Sequence, residues 1–508
     1  MYEGNENIGM LLPVVLPIAA GAAVLLAKGL RRNRKTLLTL VLGTLFLEAA
    51  LVVWALYAKG TLNLWQMTDS ICLAFGIDEV SRLFAGLTAG VWLFVGIYSI
   101  SYMKHEQEEH QFFGFYLIVL GILIGFDFSK NLITMYVFYE LMTLTSLPLV
   151  LHERTREAVM AGLKYLFYSV AGAFLALFGI FVLIRICGNQ TFTPGGVIRC
   201  LDDGTMVCIL RDSIGTERIG QGLFLGAMLC ILIGFGAKAG MFPLHGWLPT
   251  AHPAAPAPAS AVLSGVITKS GVLAILRVVY FVAGPQALRG TWVQQIWILL
   301  TLTTVFMGSM LAYKEPVLKK RLAYSTVSQV SYVLFGLSVL QEQAFVGAMS
   351  HIVFHSLIKN ALFLCAGAMI VITGKTRVEE LRGLGVQMPL LLSCYTIVSL
   401  GLVGIPPTSG FVSKWYLATG ALASGTGIWA WLGPAVLLVS ALLTAGYLLP
   451  LTIQGFFPGA DSPEGRKSEP SVWMMGPILV LTAGALLLGC FPGRLLAMLE
   501  AAAASTLL

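Results

Sequence analysis

Apolar runs long enough to cross a bilayer recur from one end of the chain to the other, separated mostly by short polar connections. A spanning helix needs about 20 mostly apolar residues. On that measure about fourteen spans are predicted: 8–28, 35–57, 76–102, 110–128, 131–151, 158–184, 220–243, 255–283, 293–313, 319–340, 343–373, 386–423, 429–457 and 472–491. The fold class this implies is an all-α polytopic membrane protein. Two spans carry breaks. The seventh is interrupted at Gly240-Met-Phe-Pro243 and continues to Pro249 and Pro253; the twelfth is interrupted at Gly404-Ile-Pro-Pro-Thr-Ser-Gly410. Proline removes a helix hydrogen bond and glycine loosens the backbone, so the freed groups must face protein or water rather than lipid. Broken helices in corresponding halves are the sequence sign of a transport path near the midplane. The longest connection, Cys187–Gly220, is polar and glycine-rich, with a strand candidate at Met206–Leu210, and reads as an external hairpin cap.

Composition agrees with this pattern. Of 508 residues, 57% are hydrophobic and only 11% charged, against about 25% charged in soluble domains. The formal charge of +7 does not point to nucleic acid, because the basic residues cluster between spans. Arg31, Arg32, Arg34 and Lys35 follow the first span, Arg154 and Arg156 the fifth, Lys319, Lys320 and Arg321 the ninth, and Lys375, Arg377 and Arg382 the eleventh. All four clusters fall on one side, which the positive-inside rule makes cytoplasmic, with both termini outside. Met1–Gly9 holds Glu3 and Glu6 rather than a basic signal-peptide start. Eight cysteines without a C-x-x-C support neither an iron–sulfur nor a zinc framework, and no glycine fingerprint for a nucleotide is present. The chain is therefore expected to hold no cofactor and no metal. Cys200 and Cys208 share a loop, and the reading preferred for them is two unrelated thiols.

The candidate chemistry lies in polar residues within apolar runs. Lys238 and Lys269 lie in two such runs joined by a Pro-, Gly- and His-containing link. A charged amine at mid-bilayer costs about 3 kcal/mol or more. Burial penalises the ammonium form, which brings a neutral amine within reach, so two such lysines can pass a proton through water. Glu140, mid-run in its span, needs a cationic partner to stay ionised, and Lys238 is the natural one. A switch set by their separation follows: close, the pair stays charged; apart, the lysine releases its proton. His351, His355 and Lys359 fall at i, i+4 and i+8, all facing one way. The lysine opposes a dication there, and a hydrogen-bonded proton relay fits better than a metal site. Lys414 follows the second break and reads as the proton's exit, or else as a snorkelling lysine beside Trp415 and Tyr416. His245 and His252 flank the first break and would connect the path to one surface. Lys164, nearer a helix end, either snorkels or joins the relay. Asp78 and Arg82 read as an anchoring i, i+4 ion pair, and Asp127 and Lys130 as boundary residues.

At these residues the chain resembles the antiporter-like family shared by complex I and its relatives. That family takes in chains 2, 4 and 5 of NADH:quinone oxidoreductase, the Mrp-type cation/proton antiporters, and membrane-bound hydrogenase and formate hydrogenlyase modules. The segments that carry the likeness are Tyr139-Glu-Leu-Met142, Lys238-Ala-Gly-Met-Phe-Pro-Leu-His-Gly-Trp-Leu-Pro249, Ala251-His-Pro253, Leu322-Ala-Tyr-Ser-Thr-Val-Ser328, His351–Lys359, Gly404-Ile-Pro-Pro407 and Gly410-Phe-Val-Ser-Lys414. The resemblance implies two inverted five-helix repeats, spans 4–8 and 9–13. The chain then divides into an N-terminal three-helix segment (1–109), a first repeat with the external loop 187–220 (110–285), a second repeat (286–457), and a C-terminal loop and last helix (458–508). It also implies a hydrophilic axis through Glu140, Lys238, Lys269, the His351–Lys359 group and Lys414. Lysine at 414 matches the chain 5 and Mrp-type pattern. No long lateral helix follows the last span up to Leu508, which favours a Mrp D-like or hydrogenase-module subunit.

The function expected is proton translocation by a non-redox subunit of a redox-driven, complex-I-like assembly in a prokaryotic plasma membrane. Its partners would be antiporter-like paralogues, small membrane subunits and lipid. The alternatives are a D-type subunit of a sodium/proton antiporter, with sodium as a second cation, and a structural scaffold whose polar axis only registers helices.

Overall fold

The computed structural model describes residues 7–57, 60–68, 71–201, 203–210, 213–214, 218–459 and 468–507. The helices used below are α1 (Leu12–Leu26), α2 (Arg34–Tyr57), α3 (Glu79–Tyr102), α4 (Glu109–Asp127), α5 (Leu132–Val150), α6 (Arg156–Cys187), α7 (Gln221–Ala239), α8 (Leu248–Ala254), α9 (Ala257–Ala283), α10 (Trp292–Lys314), α11 (Leu318–Ser338), α12 (Glu342–Thr373), α13 (Pro389–Val403), α14 (Ser409–Leu422), α15 (Ile428–Phe456), α16 (Val472–Cys490) and α17 (Gly493–Leu507). Among the described residues, twelve helices are long and apolar enough to cross a membrane. The two other spans expected from the sequence coincide with α11 and with the pair α13 and α14. α11 falls short of the apolar criterion because its 21 residues include Lys319, Lys320, Arg321 and five serines and threonines. α17 was not expected from the sequence; its alternation of Ala with Leu, Glu and Arg gives no bilayer-length run.

Both breaks form where glycine permits a left-handed turn. α7 stops at Gly240 (φ 80°) and α13 at Gly404 (φ 91°), each releasing the chain for a short link before the next helix. The helix that ends at each break, α7 or α13, is the one after a 32-residue helix, α6 or α12.

Contacts between connections define the two ends of the bundle. At one end the basic clusters meet: Arg34 pairs with Glu109 at 2.6 Å, Arg154 donates to Gln111, and Val317 bridges to Arg377. At the other, β1 (Thr61–Thr68) and β2 (Ile71–Gly76) form an antiparallel hairpin. Beside it, β3 (Ile198–Cys200), β4 (Thr205–Leu210) and β5 (Ile219–Gly220) fold the long connection into a cap. Its chain is pinned to the end of α9 by backbone hydrogen bonds from Thr193, Gly195 and Val197 to Phe281, Tyr280 and Val282. Cys200 lies exposed opposite Met206 while Cys208 is buried opposite Ile198, and both thiols are free.

One expected ion pair is replaced. Asp78 does not bind Arg82, which turns to Glu79 at 2.6 Å. Asp78 caps α3 through the Ser81 amide and takes both guanidinium nitrogens of the buried Arg277, at 2.5 and 2.8 Å. The capping bond holds the Asp78 carboxylate over the first turn of α3, where its oxygens meet the Arg277 guanidinium. Asp127, expected at a boundary, is buried and accepts from Thr88 at 3.0 Å.

Small residues set the helix spacing. A Cβ on Gly234 would lie 2.5 Å from the Gly172 carbonyl oxygen, and one on Gly172 would lie 2.6 Å from that of Gly234. Backbones thus touch where α6 crosses α7, the usual role of small residues between membrane helices. Gly234→Val is expected to cost about 1–3 kcal/mol by overpacking, seen as a lower thermal midpoint of the detergent-solubilised protein. A midpoint equal to wild type would show that the crossing can open without cost.

Candidate functional site

The innermost helix is α9, every residue of which is buried. It departs from α-helical bonding at Leu263–Ile267 and Arg277–Ala283, where it takes π-helical turns. Such bulges release carbonyls and cluster at functional positions. The first lies just before Lys269, and the Lys269 amine donates to the Ser264 carbonyl inside it at 2.5 Å. The approach of α7 to α9 is equally close. A Cβ on Gly271 would meet the Phe235 carbonyl oxygen at 2.5 Å and the Lys238 Cβ at 3.2 Å, so Lys238 and Lys269 flank one tight crossing.

Lys238 is fully buried at the end of α7. Its amine donates to Thr143 Oγ1 on α5 at 2.9 Å, and on α6 to Tyr165 OH at 2.6 Å and Ser169 Oγ at 3.3 Å. The rings of Tyr165 and Tyr139 lie beneath it, at 4.4 and 5.9 Å to the centroids. Glu140 is not among its ligands. That carboxylate is half-buried at the bundle's perimeter, beside the exposed Leu141 and Leu144, and accepts from Tyr136 OH at 3.1 Å. Glu140 and Lys238 are thus not in ion-pair contact, though each lies within electrostatic reach of the other.

Hydroxyls and two carbonyls, those of Ser264 and Leu322, link Lys269 to Lys359. Ser264 Oγ lies 2.7 Å from Thr326 Oγ1 on α11, and Thr326 donates to the Leu322 carbonyl at 3.0 Å. The same carbonyl accepts from the Lys359 amine at 2.7 Å, which also bonds Ser325 Oγ. On α12 the helical spacing does what the sequence predicts. The His351 and His355 rings stack with centroids 5.7 Å apart, and His351 Nδ1 lies 2.9 Å from Ser413 Oγ. His355 is fully buried, with no protein hydrogen-bond partner at either ring nitrogen among the described residues, and lies within electrostatic reach of Lys269, Lys359 and Lys414. Lys414 reaches back across the second break, donating to the Leu402 and Val403 carbonyls at 2.6 and 2.9 Å. These are orphan acceptors at the end of α13. Its amine also lies 5.1 Å from the centroid of the Tyr332 ring.

At the basic end, a cavity of about 770 Å³ is lined by Glu153, Glu157, Lys164, Thr250, Pro253 and Lys320, among others. Lys164 thus faces this opening rather than the buried lysines. Beneath it Lys319 is buried, and its amine donates to the Pro253 and Ala255 carbonyls at 3.1 and 2.6 Å. Glu106 lies nearby in the connection before α4; burial raises its carboxyl above the usual range, and the neighbouring Glu153 carboxylate adds to this. His252 is fully buried on α8, both ring nitrogens unbonded, stacked on Phe363 at 5.0 Å. His245 lies apart, against the Phe242 ring at 6.1 Å.

Sequence reasoning missed Lys319, which sits in a basic cluster read only as an orientation signal. It also missed the hydroxyl ligands. A signal for these was present: Ser325, Ser328 and Tyr332 recur on one face of α11, as do Ser440, Thr444 and Tyr447 on α15. Among the described residues no cluster of His, Cys, Asp and Glu could hold a metal.

Residues 129–444 match the family model described as NADH:quinone oxidoreductase/Mrp antiporter, transmembrane, and residues 65–113 match that of the chain 5 N-terminus of complex I. The chain is 31% identical over 500 residues to the N-type subunit of NADH-quinone oxidoreductase from Desulforudis audaxviator, covering 95% of this chain and 90% of that one. It is 28% identical over 489 residues to the D-type subunit of the Na(+)/H(+) antiporter from Alkalihalophilus pseudofirmus, covering 94% and 93%. In fold it resembles a chain of an archaeal membrane-bound sulfane sulfur reductase, with TM-score 0.83 and 20% identity over 98% of this chain and 97% of that one.

Proposed function

The chain belongs to the NADH:quinone oxidoreductase/Mrp antiporter family, and on that footing we propose that it carries protons along its buried lysine–histidine axis as one subunit of a redox-driven membrane complex. The observation that carries this reading is the kind of ligand each lysine has. Lys238, Lys269, Lys359 and Lys414 are held by hydroxyls and carbonyls, and among the described residues none is within ion-pair distance of a carboxylate. A carboxylate at contact distance would fix the ammonium form. Hydroxyls serve both forms of Lys238 and Lys359, accepting from the ammonium and donating to the neutral amine's lone pair, and the carbonyls at Lys269 and Lys414 accept an N–H from either form. A buried lysine so held can load and release a proton.

In this reading protons enter through the cavity at the basic end and pass Lys319 and His252. They then move between Lys359, Lys269 and Lys238 by water wires, and leave through His355, His351 and Lys414. Glu140, on the perimeter, approaches Lys238 when a neighbouring subunit moves, which couples one subunit to the next. The basic end is cytoplasmic. Lys269→Met in the assembled complex tests the assignment by proton translocation into inverted vesicles: a loss of at least about tenfold is expected, and wild-type flux would overturn it. Similarity over nearly the whole chain to a D-type antiporter subunit supports a second reading, membership of a multi-subunit sodium/proton antiporter. Co-purification with redox subunits separates the first from the second.

Lys319 has a sharper test. Arginine keeps hydrogen bonds to the Pro253 and Ala255 carbonyls but does not lose its proton. Lys319→Arg is expected to preserve assembly and slow translocation by about tenfold; full flux would show that Lys319 only pins α8.

A further inference from the structure

The serine- and tyrosine-rich faces of α11 and α15 have no part in the route just described, yet they start at one of its lysines and end beside another. Ser325 Oγ, a ligand of the Lys359 amine, faces Tyr447 on α15 without a direct hydrogen bond to its hydroxyl in this conformation. Tyr447 OH bonds Thr444 Oγ1 at 3.2 Å. One turn along α15, Ser440 Oγ bonds Ser309 Oγ at 2.6 Å, and Ser309 Oγ lies 2.8 Å from Ser328 Oγ. Tyr332, whose hydroxyl bonds the Leu437 carbonyl one turn from Ser440 on α15, presents its ring to the Lys414 amine and stacks on His351 at 5.7 Å. All these hydroxyl residues are fully buried or within 1% of it.

Resting on the proton-carrying role above, we propose that Ser325, Tyr447, Thr444, Ser440 and Tyr332 form a second proton route from Lys359 to Lys414, parallel to the His355–His351 route. Each hydroxyl has one proton to give and lone pairs to receive one. When Lys359 releases a proton to Ser325, each hydroxyl accepts one and passes its own onward. The net change is one proton lost by Lys359 and one gained by Lys414. One bridging water is needed between Thr444 and Ser440, whose side chains are a helical turn apart, and one between Tyr332 and the Lys414 amine.

The route is closed in the conformation seen. Ser325 donates to the Leu322 carbonyl, Thr444 to that of Ser440, and Tyr332 to that of Leu437. Opening requires each hydroxyl to rotate off its carbonyl, at about one hydrogen bond, or roughly 1 kcal/mol, apiece. The two routes therefore differ in kind: the imidazoles need water at their unpartnered ring nitrogens, whereas the hydroxyls must first leave their carbonyls and carry protons more slowly.

A double-mutant cycle in the assembled complex, read as proton translocation into vesicles, tests this. Tyr447→Phe removes one hydroxyl, and His355→Leu removes the imidazole route. His355→Leu alone is expected to lower flux by about threefold and Tyr447→Phe alone by about 1.5-fold, as a faster and a slower parallel route require, and the pair together by at least about twentyfold, beyond the product of the two. Ser440→Ala is expected to replace Tyr447→Phe in the cycle with the same outcome, which covers a Tyr447 variant that fails to assemble. Effects that merely multiply, or His355→Leu abolishing flux alone, would overturn the second route. The proton-carrying assignment is judged separately: loss of flux in Lys269→Met with a merely multiplicative cycle removes this inference alone.

Discussion

Lys238→Met is expected to reduce proton translocation at least about tenfold while the complex still assembles. The substitution preserves the length and apolar body of the side chain and removes only the amine. Its three hydroxyl ligands can re-pair, since Tyr165 OH already lies 2.7 Å from Ser146 Oγ, so the cost in stability should be small. Lys238→Arg sharpens the result. Arginine remains charged at every working pH, and it should block flux as firmly as methionine if loss of the proton is what matters. Flux restored by arginine would mean that only a fixed positive charge is required. Glu140→Ala should slow flux with assembly intact, because the perimeter carboxylate biases Lys238 from outside its hydroxyl cage.

The largest effect on stability is expected at Arg277. Its side chain is 3% exposed, chelated by Asp78, bonded to Ser81 at 2.9 Å, and sandwiched against Phe192 and Phe281 at 5.1 and 4.7 Å. One guanidinium thus ties the start of α3 to the π-turn ending α9 and to the capping connection. Removing one partner of a buried pair costs about 3–5 kcal/mol, because the other charge is left buried and alone. Asp78 is itself 36% exposed, so water can reach part of the site. Asp78→Leu is therefore expected near the lower end, at about 2–3 kcal/mol. The double variant Asp78→Leu, Arg277→Met should be more stable than Asp78→Leu alone, since no orphan charge remains. Thermal midpoints of the three proteins check this. If the double variant is the least stable, the pair contributes more than mutual neutralisation.

The spans and breaks were legible because lipid imposes a strict rule: an apolar run of bilayer length, or a Gly/Pro interruption that must face something polar. The α12 group was legible for a similar reason, since His351, His355 and Lys359 share a helix and simple spacing puts them together. What the sequence left open depends on contacts between helices distant along the chain. Asp78 finds Arg277 across 199 residues rather than the arginine one turn away. Lys238 takes Thr143, Tyr165 and Ser169 from two other helices, whereas a search for opposite charges leads to Glu140. Serine, threonine and tyrosine are common enough in membrane helices that their one-sided spacing on α11 and α15 becomes meaningful only once the two faces meet. Lys319 was hidden by its neighbours: beside Lys320 and Arg321 it resembles one more orientation signal, yet it alone of the three turns fully inward.

Proton transfer along the axis requires the buried amines and the part-buried Lys414 to be joined by water at membrane depth. A map of the assembled complex, at a resolution that shows ordered water, tests that most directly. Water linking Lys238, Lys269, Lys359 and Lys414 in an unbroken hydrogen-bonded series is the result expected; apolar side chains packed without solvent between those amines would contradict it.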